Sequence, residues 1–448
     1  MSDSLRRHAS NFREENAMSN LKLSVTVLLL LTAGALEAQE APKPAGGLTG
    51  EQPAADFDQF WSEIGAHYAY MSEKHIRWPQ VREIYRERAA EARTRRDLLH
   101  VLEQAIAELY DDHATLGADA PGSPRIVPSR TDLWASWHGD LAILDEVRPG
   151  SAAATAGLEA GDRVVAVGGV PIGNAVAGEL PRTLTEPDPR ARDWALRRVL
   201  AGRGGQPRDI SVNHADGRTA SVHLADYRAA PATTALEARR LNRGIGYIRF
   251  HNSLANPELV TAFDSALAEM KDASALVLDL RDTPGGGDSA VAEPILGRFV
   301  ERTRGYQKFV VPVGSWRRTR SFVEKVRPRG PFPYRGKLVV LVDHWTASMG
   351  EGVAVGLAGM HRATVIGTPM AGLNGATYTR RVRFSGIPYN YPAERIYAVD
   401  GTPREVFQPE IVVPLAGAAS PDPILDCALA VLNDAPRAAC SHPERQKF

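Results

Sequence analysis

Cysteine is nearly missing from this chain. Only Cys427 and Cys440 occur in 448 residues, both in "DCALAVLNDAPRAAC" near the C-terminus. No C-x-x-C or H-E-x-x-H spacing is present, so no metal site is expected, and no other cofactor is expected either. Neither cysteine stands in the basic or glycine-rich setting that activates a thiol, which excludes both as nucleophiles. The pair permits one local disulfide in an exported chain, or two reduced thiols. A charge excess is missing too: Lys plus Arg and Asp plus Glu each number 53. Nothing therefore draws the chain to nucleic acid or to an acidic membrane surface. The Walker phosphate loop and G-x-G-x-x-G are absent, and no repeat of 20 to 50 residues is visible.

Long apolar runs are scarce. The most apolar segment, Leu23 to Leu31 in "MSNLKLSVTVLLLLTAGALEAQEAPKP", follows Lys22 and precedes small residues. That is the layout of a secretory signal, with cleavage after Ala35 or Ala38 and Met18 as an alternative start. The run is short for a membrane span. Residues 1–38 are thus expected to be a targeting segment, leaving no stable span after cleavage and a periplasmic or secreted protein.

What is present falls into blocks. Residues 50–117 carry apolar residues at helical spacing in "FDQFWSEIGAHYAYM" and "RRDLLHVLEQAIAELYDDH", which predicts a small helical domain. "GADAPGSPRIVPSR" then reads as a linker or extended arm. From Leu241 the signals alternate between strand and helix, which predicts an α/β core with largely parallel strands over 227–435. Two junctions stand out there. "ALVLDLRDTPGGGDS" ends a buried strand in Arg281-Asp282 and a loop whose Gly285, Gly286 and Gly287 let backbone N–H groups approach a ligand. "KLVVLVDHWTASMGEG" runs from strand through a tight turn into a small-residue helix, with Ser348 at its N-terminus. Taken alone, that serine is an N-cap and that loop a glycine turn.

The segment "ILDEVRPGSAAATAGLEAGDRVVAVGGVPI" resembles a bacterial PDZ domain, expected over 132–226. The resemblance implies capture of extended peptides, often free C-termini, by strand addition near "WHGDLAIL". With this block upstream, the two junctions together resemble the catalytic domain of the carboxy-terminal-processing and tricorn-core serine peptidases. The "FDQFW", "RW" and "LYDDHATL" runs are similar to the tricorn-core and interphotoreceptor retinoid-binding branch. The implied fold is α/β and multidomain: a helical N-terminal domain, a PDZ domain and a crotonase/ClpP-like catalytic core.

In that family the serine after "TAS" is the nucleophile, here Ser348, and a serine hydroxyl needs a base. The lysine of the carboxy-terminal-processing branch is missing, since "GTPMAGLNGATY" has Leu373 near its place. The tricorn-core pattern instead implies His113 as base; His344 and His251 are the rival histidines. It further implies an orienting carboxylate, either Glu405 from "VDGTPREVFQPE" or Asp112, which stands where the pattern has serine. The N–H of Met349 and one from Gly285 or Gly286 would form the oxyanion hole. The implied activity is hydrolysis of peptide bonds in protein or peptide substrates. Two other readings share the scaffold: a non-catalytic module for apolar ligands or peptides, and an acyl-CoA enzyme, which export disfavours. The sequence carries no signal of oligomeric state.

Overall fold

The computed structural model describes residues 48–227, 232–435 and Cys440. The targeting segment expected at 1–38 lies outside them. Three helices open the described chain: α1 (Gln52–His67), α2 (Trp78–Ala90) and α3 (Arg95–Ala107). The start of α3 is set locally. Thr94 Oγ1 accepts the Asp97 N–H at 3.1 Å and Asp97 Oδ2 accepts the Thr94 N–H at 2.9 Å, a capping box. Leu98, Leu99, Leu102 and Ile106 form its buried face. A two-residue strand, β1 (Thr115–Leu116), follows. The arm after it is packed rather than free, with Ser123, Arg125 and Val127 buried.

The next block is an antiparallel sheet in the order β2-β3-β4-β6-β7, with β5 paired to β4. Its strands are β2 (Leu133–His138), β3 (Leu141–Val147), β4 (Arg163–Val167), β5 (Val170–Pro171), β6 (Arg208–Asn213) and β7 (Thr219–Leu224). Helices α4 (Ala152–Thr155), α5 (Ile172–Glu179) and α6 (Pro189–Ala201) complete it. Asp188 caps α6 by accepting the Arg190 N–H at 2.8 Å, with Pro189 at the first helical position. β2 is an edge strand covered by α6, whose Asp193 Oδ1 accepts the Trp137 N–H at 2.9 Å.

The core sheet has the order β17-β14-β13-β10-β9-β8. It contains β8 (Leu236–Arg240), β9 (Ile245–Phe250), β10 (Ala275–Asp279), β13 (Lys337–Val342), β14 (Thr364–Gly367) and β17 (Ile411–Val412). All neighbours are parallel except β8 with β9. Helices α7 (Glu258–Glu269), α8 (Ser289–Leu296) and α9 (Met349–Gly359) pack on one face, and α10 (Pro423–Leu432) on the other. Alternation divides the strands between two apolar layers: Leu276, Leu278, Val340 and Val342 face α7 to α9, while Val277, Val339 and Leu341 face α10. Burial on both faces is why these strands read as continuous apolar runs. Cys427 of α10 is disulfide-bonded to Cys440, so the two are not reduced thiols.

One departure from the expected 227–435 core is large. β11 (Arg304–Val313), β12 (Ser315–Val326), β15 (Ala376–Arg381) and β16 (Pro388–Tyr397) leave the parallel sheet and join β1 in a second, antiparallel one. Tyr389 and Tyr391 of β16 bury against Phe57 and Phe60 of α1. Asp56, fully buried, accepts the N–H groups of Phe384 and Ser385 at 2.8 and 2.7 Å. The apolar face of the helical block is thus closed by strands more than 300 residues away, as the spacing of these two contacts records.

Candidate active site

The two junctions singled out in the sequence meet because β10 and β13 are parallel neighbours in register, Asp279 opposite Leu341. Both chains therefore leave the sheet at the same edge, where ligands bind in open α/β sheets. The buried Asp343 carboxylate fastens them, accepting Asp282 N–H at 3.0 Å and Trp345 N–H at 3.0 Å. Burial, with the charges of Glu146 and Asp282, pushes its pKa up to about 8. Glycine permits the contact that follows. A Cβ at Gly287 would lie 2.5 Å from Cβ of Met349, and one at Gly350 would lie 2.7 Å from Oγ1 of Thr283. The glycine loop therefore rests directly on the first turn of α9.

Ser348 occupies that turn with φ 53° and ψ −109°, a backbone conformation that L-residues seldom adopt. Such strain persists only where the surroundings impose it, and it gathers at functional sites. The serine stands in the positive field of the helix N-terminus. The N–H groups of Met349 and Gly286 donate to no acceptor among the described residues. Gly285 is different: its N–H is taken by Asn252 Oδ1 at 2.8 Å. Of the two glycines considered for the oxyanion hole, the free donor is Gly286, and Gly285 is withdrawn.

His113 lies past the end of α3, in the irregular segment before β1. Its Nδ1–H donates to the carbonyl oxygen of Asn374 at 2.5 Å, which leaves Nε2 as the acceptor nitrogen. Asp111 secures both partners: Oδ1 accepts the His113 N–H at 2.9 Å and Oδ2 accepts the Asn374 Nδ2–H at 2.8 Å. Tyr68 donates to the same carboxylate at 2.6 Å. Burial, and then the nearby Arg404 guanidinium, lower the His113 pKa to about 4. The ring is neutral at ordinary pH, the form a base requires.

Neither expected carboxylate orients this ring. Asp112 turns away to Arg197 Nη2 on α6 at 3.3 Å. Glu405 sits half-buried, its Oε2 without a hydrogen bond and its pKa raised first by burial. The orienting acceptor is a main-chain carbonyl, which carries no residue identity and so leaves no mark on the sequence beyond the glycines of "GLNG". Leu373, near the absent lysine's place, is buried among Trp134, Trp345 and Ala347. The rival histidines are engaged elsewhere. His344 Nδ1 lies 2.8 Å from Glu146 Oε2, and His251 Nδ1 lies 3.2 Å from the Thr234 carbonyl.

Sequence reasoning missed Glu351. It is fully buried, and its Oε2 accepts the Ser348 N–H at 2.7 Å. Its Oε1 accepts the N–H groups of Gly372 and Leu373 at 3.0 and 3.2 Å. An acidic residue three positions after an N-cap serine is a readable capping-box signal. Its second role, holding a distant loop, is not readable.

A strained serine on a helix N-terminus, free N–H donors beside it and a buried neutral histidine suit a serine-type peptidase, the class to which comparison with known proteins points. Residues 244–413 match the model of peptidase family S41, residues 50–107 the tricorn protease C1 domain, and residues 143–177 a PDZ domain. Residues 244–413 thus carry a peptidase S41 domain, and its combination with tricorn C1 and PDZ matches resembles the tail-specific and tricorn-like group. The S41 match supports a serine-type hydrolase over the non-catalytic and acyl-CoA readings. Two solved structures share the fold. One is the photosystem II D1 C-terminal processing protease, at 18% identity and TM-score 0.52, covering 82% of this chain and 94% of that one. Another is mature CPAF, at 14% identity and TM-score 0.56, covering 81% and 93%.

Proposed function

We propose that this peptidase is exported and cleaves peptide bonds through an acyl-enzyme on Ser348, with His113 as general base and the PDZ block docking substrate C-termini. The observation that carries this reading is a strained Ser348, flanked by the unengaged N–H groups of Met349 and Gly286 and tied through Glu351 to the loop whose Asn374 receives the His113 Nδ1–H. In the first step Ser348 Oγ bonds to the scissile carbonyl carbon while its proton passes to Nε2 of His113. Met349 and Gly286 hold the oxyanion, each donor worth about 3 kcal/mol. The C–N bond then breaks as Nε2–H protonates the leaving amine, and water repeats the sequence to release the acid. Because burial holds the His113 pKa low, the ring needs no carboxylate to remain a free base.

Ser348→Ala and His113→Ala test the assignment. Each should lower the turnover of a peptide by a factor on the order of a thousand. A fluorophosphonate should modify Ser348 in the wild type, read by peptide mass spectrometry. Turnover preserved in Ser348→Ala would remove this function, and preserved turnover in His113→Ala would reassign the base.

A further inference from the structure

The proposed chemistry, on which this inference rests, takes its nucleophile and its base from segments that share no secondary-structure element. We propose that Glu351 is a positioning residue for the reaction: its carboxylate spans from the turn carrying Ser348 to the loop that orients His113 and sets the register between them. One oxygen holds the Ser348 N–H at 2.7 Å, and the other holds the N–H groups of Gly372 and Leu373 at 3.0 and 3.2 Å. The next residue of that loop, Asn374, supplies the carbonyl that receives Nδ1–H of His113 at 2.5 Å. Nucleophile and base are thus joined through one buried side chain and two residues of backbone.

The chemistry of the tie is specific. A carboxylate accepts on both oxygens, whereas glutamine would set an NH₂ donor against either the Ser348 N–H or the loop N–H groups. No solvent reaches Glu351 to substitute for a lost acceptor, since it is 0% exposed. Arg404 is the charge facing it, and the same guanidinium holds the loop from its carbonyl side through Leu373 and Gly375 at 3.1 and 2.7 Å. Strand β11 presents the neutral Gln307 beside Gly352, while His113 and the main-chain carbonyl of Glu405 face the loop itself.

A pH signature follows. Burial raises the Glu351 pKa to about 7, against Arg404 and the three N–H donors, while burial lowers that of His113 to about 4. Between these values the histidine remains a base, but Glu351 takes a proton and loses an acceptor. The wild-type kcat should therefore fall roughly tenfold per pH unit below about pH 7, with KM steady, because Glu351 does not touch substrate.

The test measures kcat, KM and the rate of fluorophosphonate modification of Ser348 from about pH 4.5 to 8.5. Glu351→Gln should have a kcat about 100-fold lower with KM little changed, and the limb near pH 7 should vanish. Wild-type kcat and modification rate that hold down to the histidine limb near pH 4 overturn the proposal. So does a Glu351→Gln enzyme with wild-type kcat and limb. If Glu351→Gln fails to fold, the position of the wild-type limb decides by itself. Failure of the site assignment is seen separately, as turnover surviving in Ser348→Ala.

Discussion

At the scale of the residue, Ser348 combines two demands that pull against each other. The φ of 53° lifts its side chain off the strand axis and onto the helix, and a β-carbon there is strained. Replacing the residue by glycine removes that strain with the hydroxyl, whereas alanine keeps the strain and removes only the hydroxyl. Ser348→Gly should be more stable to denaturant than Ser348→Ala by about 1 kcal/mol, although both lack the proposed nucleophile. Equal stabilities would mean that the turn is not strained. Glu351 sets function against stability in a related way. A carboxyl whose folded pKa is raised from 4.5 to about 7 contributes stability that is fully present at acid pH and is lost as pH rises through the folded value. Loss of kcat on acidification to pH 6 is therefore not a loss of fold through this group.

At the scale of the element, the contact of the glycine loop with the first turn of α9 brings the proposed oxyanion donors together. A Cβ on Gly287 would lie 2.5 Å from Cβ of Met349 and 3.0 Å from Cβ of Leu254, whereas nothing lies within 4 Å of a Cβ on Gly286. Gly287→Ala must push the loop off the helix and separate the Gly286 and Met349 donors. A kcat about 100-fold lower is expected, the effect of losing one oxyanion donor, with the melting temperature lowered as well. Gly286→Ala should leave the melting temperature unchanged. If Gly287→Ala keeps the wild-type kcat, the two donors do not act together. The strands and helices around this contact were legible because each is specified by its own residues: the apolar runs of β10 and β13, the glycines after one and the small residues after the other. The second sheet was not legible. β1 pairs with β16 across a large gap in sequence, and nothing in a two-residue strand announces its partner.

At the scale of the whole molecule, the PDZ-type block touches both catalytic junctions. Arg148 pairs with Asp282 at 3.3 Å beside the glycine loop, Glu146 holds His344 ahead of Ser348, and Arg197 of α6 holds Asp112 next to His113. The same α6 covers edge strand β2, the strand a docked peptide would extend, and Asp193 already occupies the Trp137 N–H. If the groove works by strand addition, an incoming chain must displace this carboxylate. Asp193→Ala should then bind a peptide with a free C-terminus about fivefold more tightly, the worth of one hydrogen bond, by fluorescence polarisation. An amidated version of the peptide should bind weakly and be processed slowly. Equal rates for acid and amide forms, together with no change in Asp193→Ala, would make the block a spacer.

The sequence by itself determined the secondary elements of the α/β core, the nature of the three blocks and the place of Ser348, because strand burial, helix capping and glycine loops are properties of neighbouring residues. It reached His113 only through resemblance, since a histidine past a helix end has no chemistry until something faces it. The rest was decided in three dimensions. Asn374 receives the His113 Nδ1–H through a carbonyl that every residue possesses, Asp112 is turned to Arg197, Glu405 leaves its Oε2 without a hydrogen bond, and Gly285 gives its N–H to Asn252. Glu351 reads as a helix cap until the fold brings the loop of Gly372 and Leu373 against its second oxygen. Local preferences act over a few residues. A hydrogen bond that spans hundreds of residues exists only after the core has closed around it.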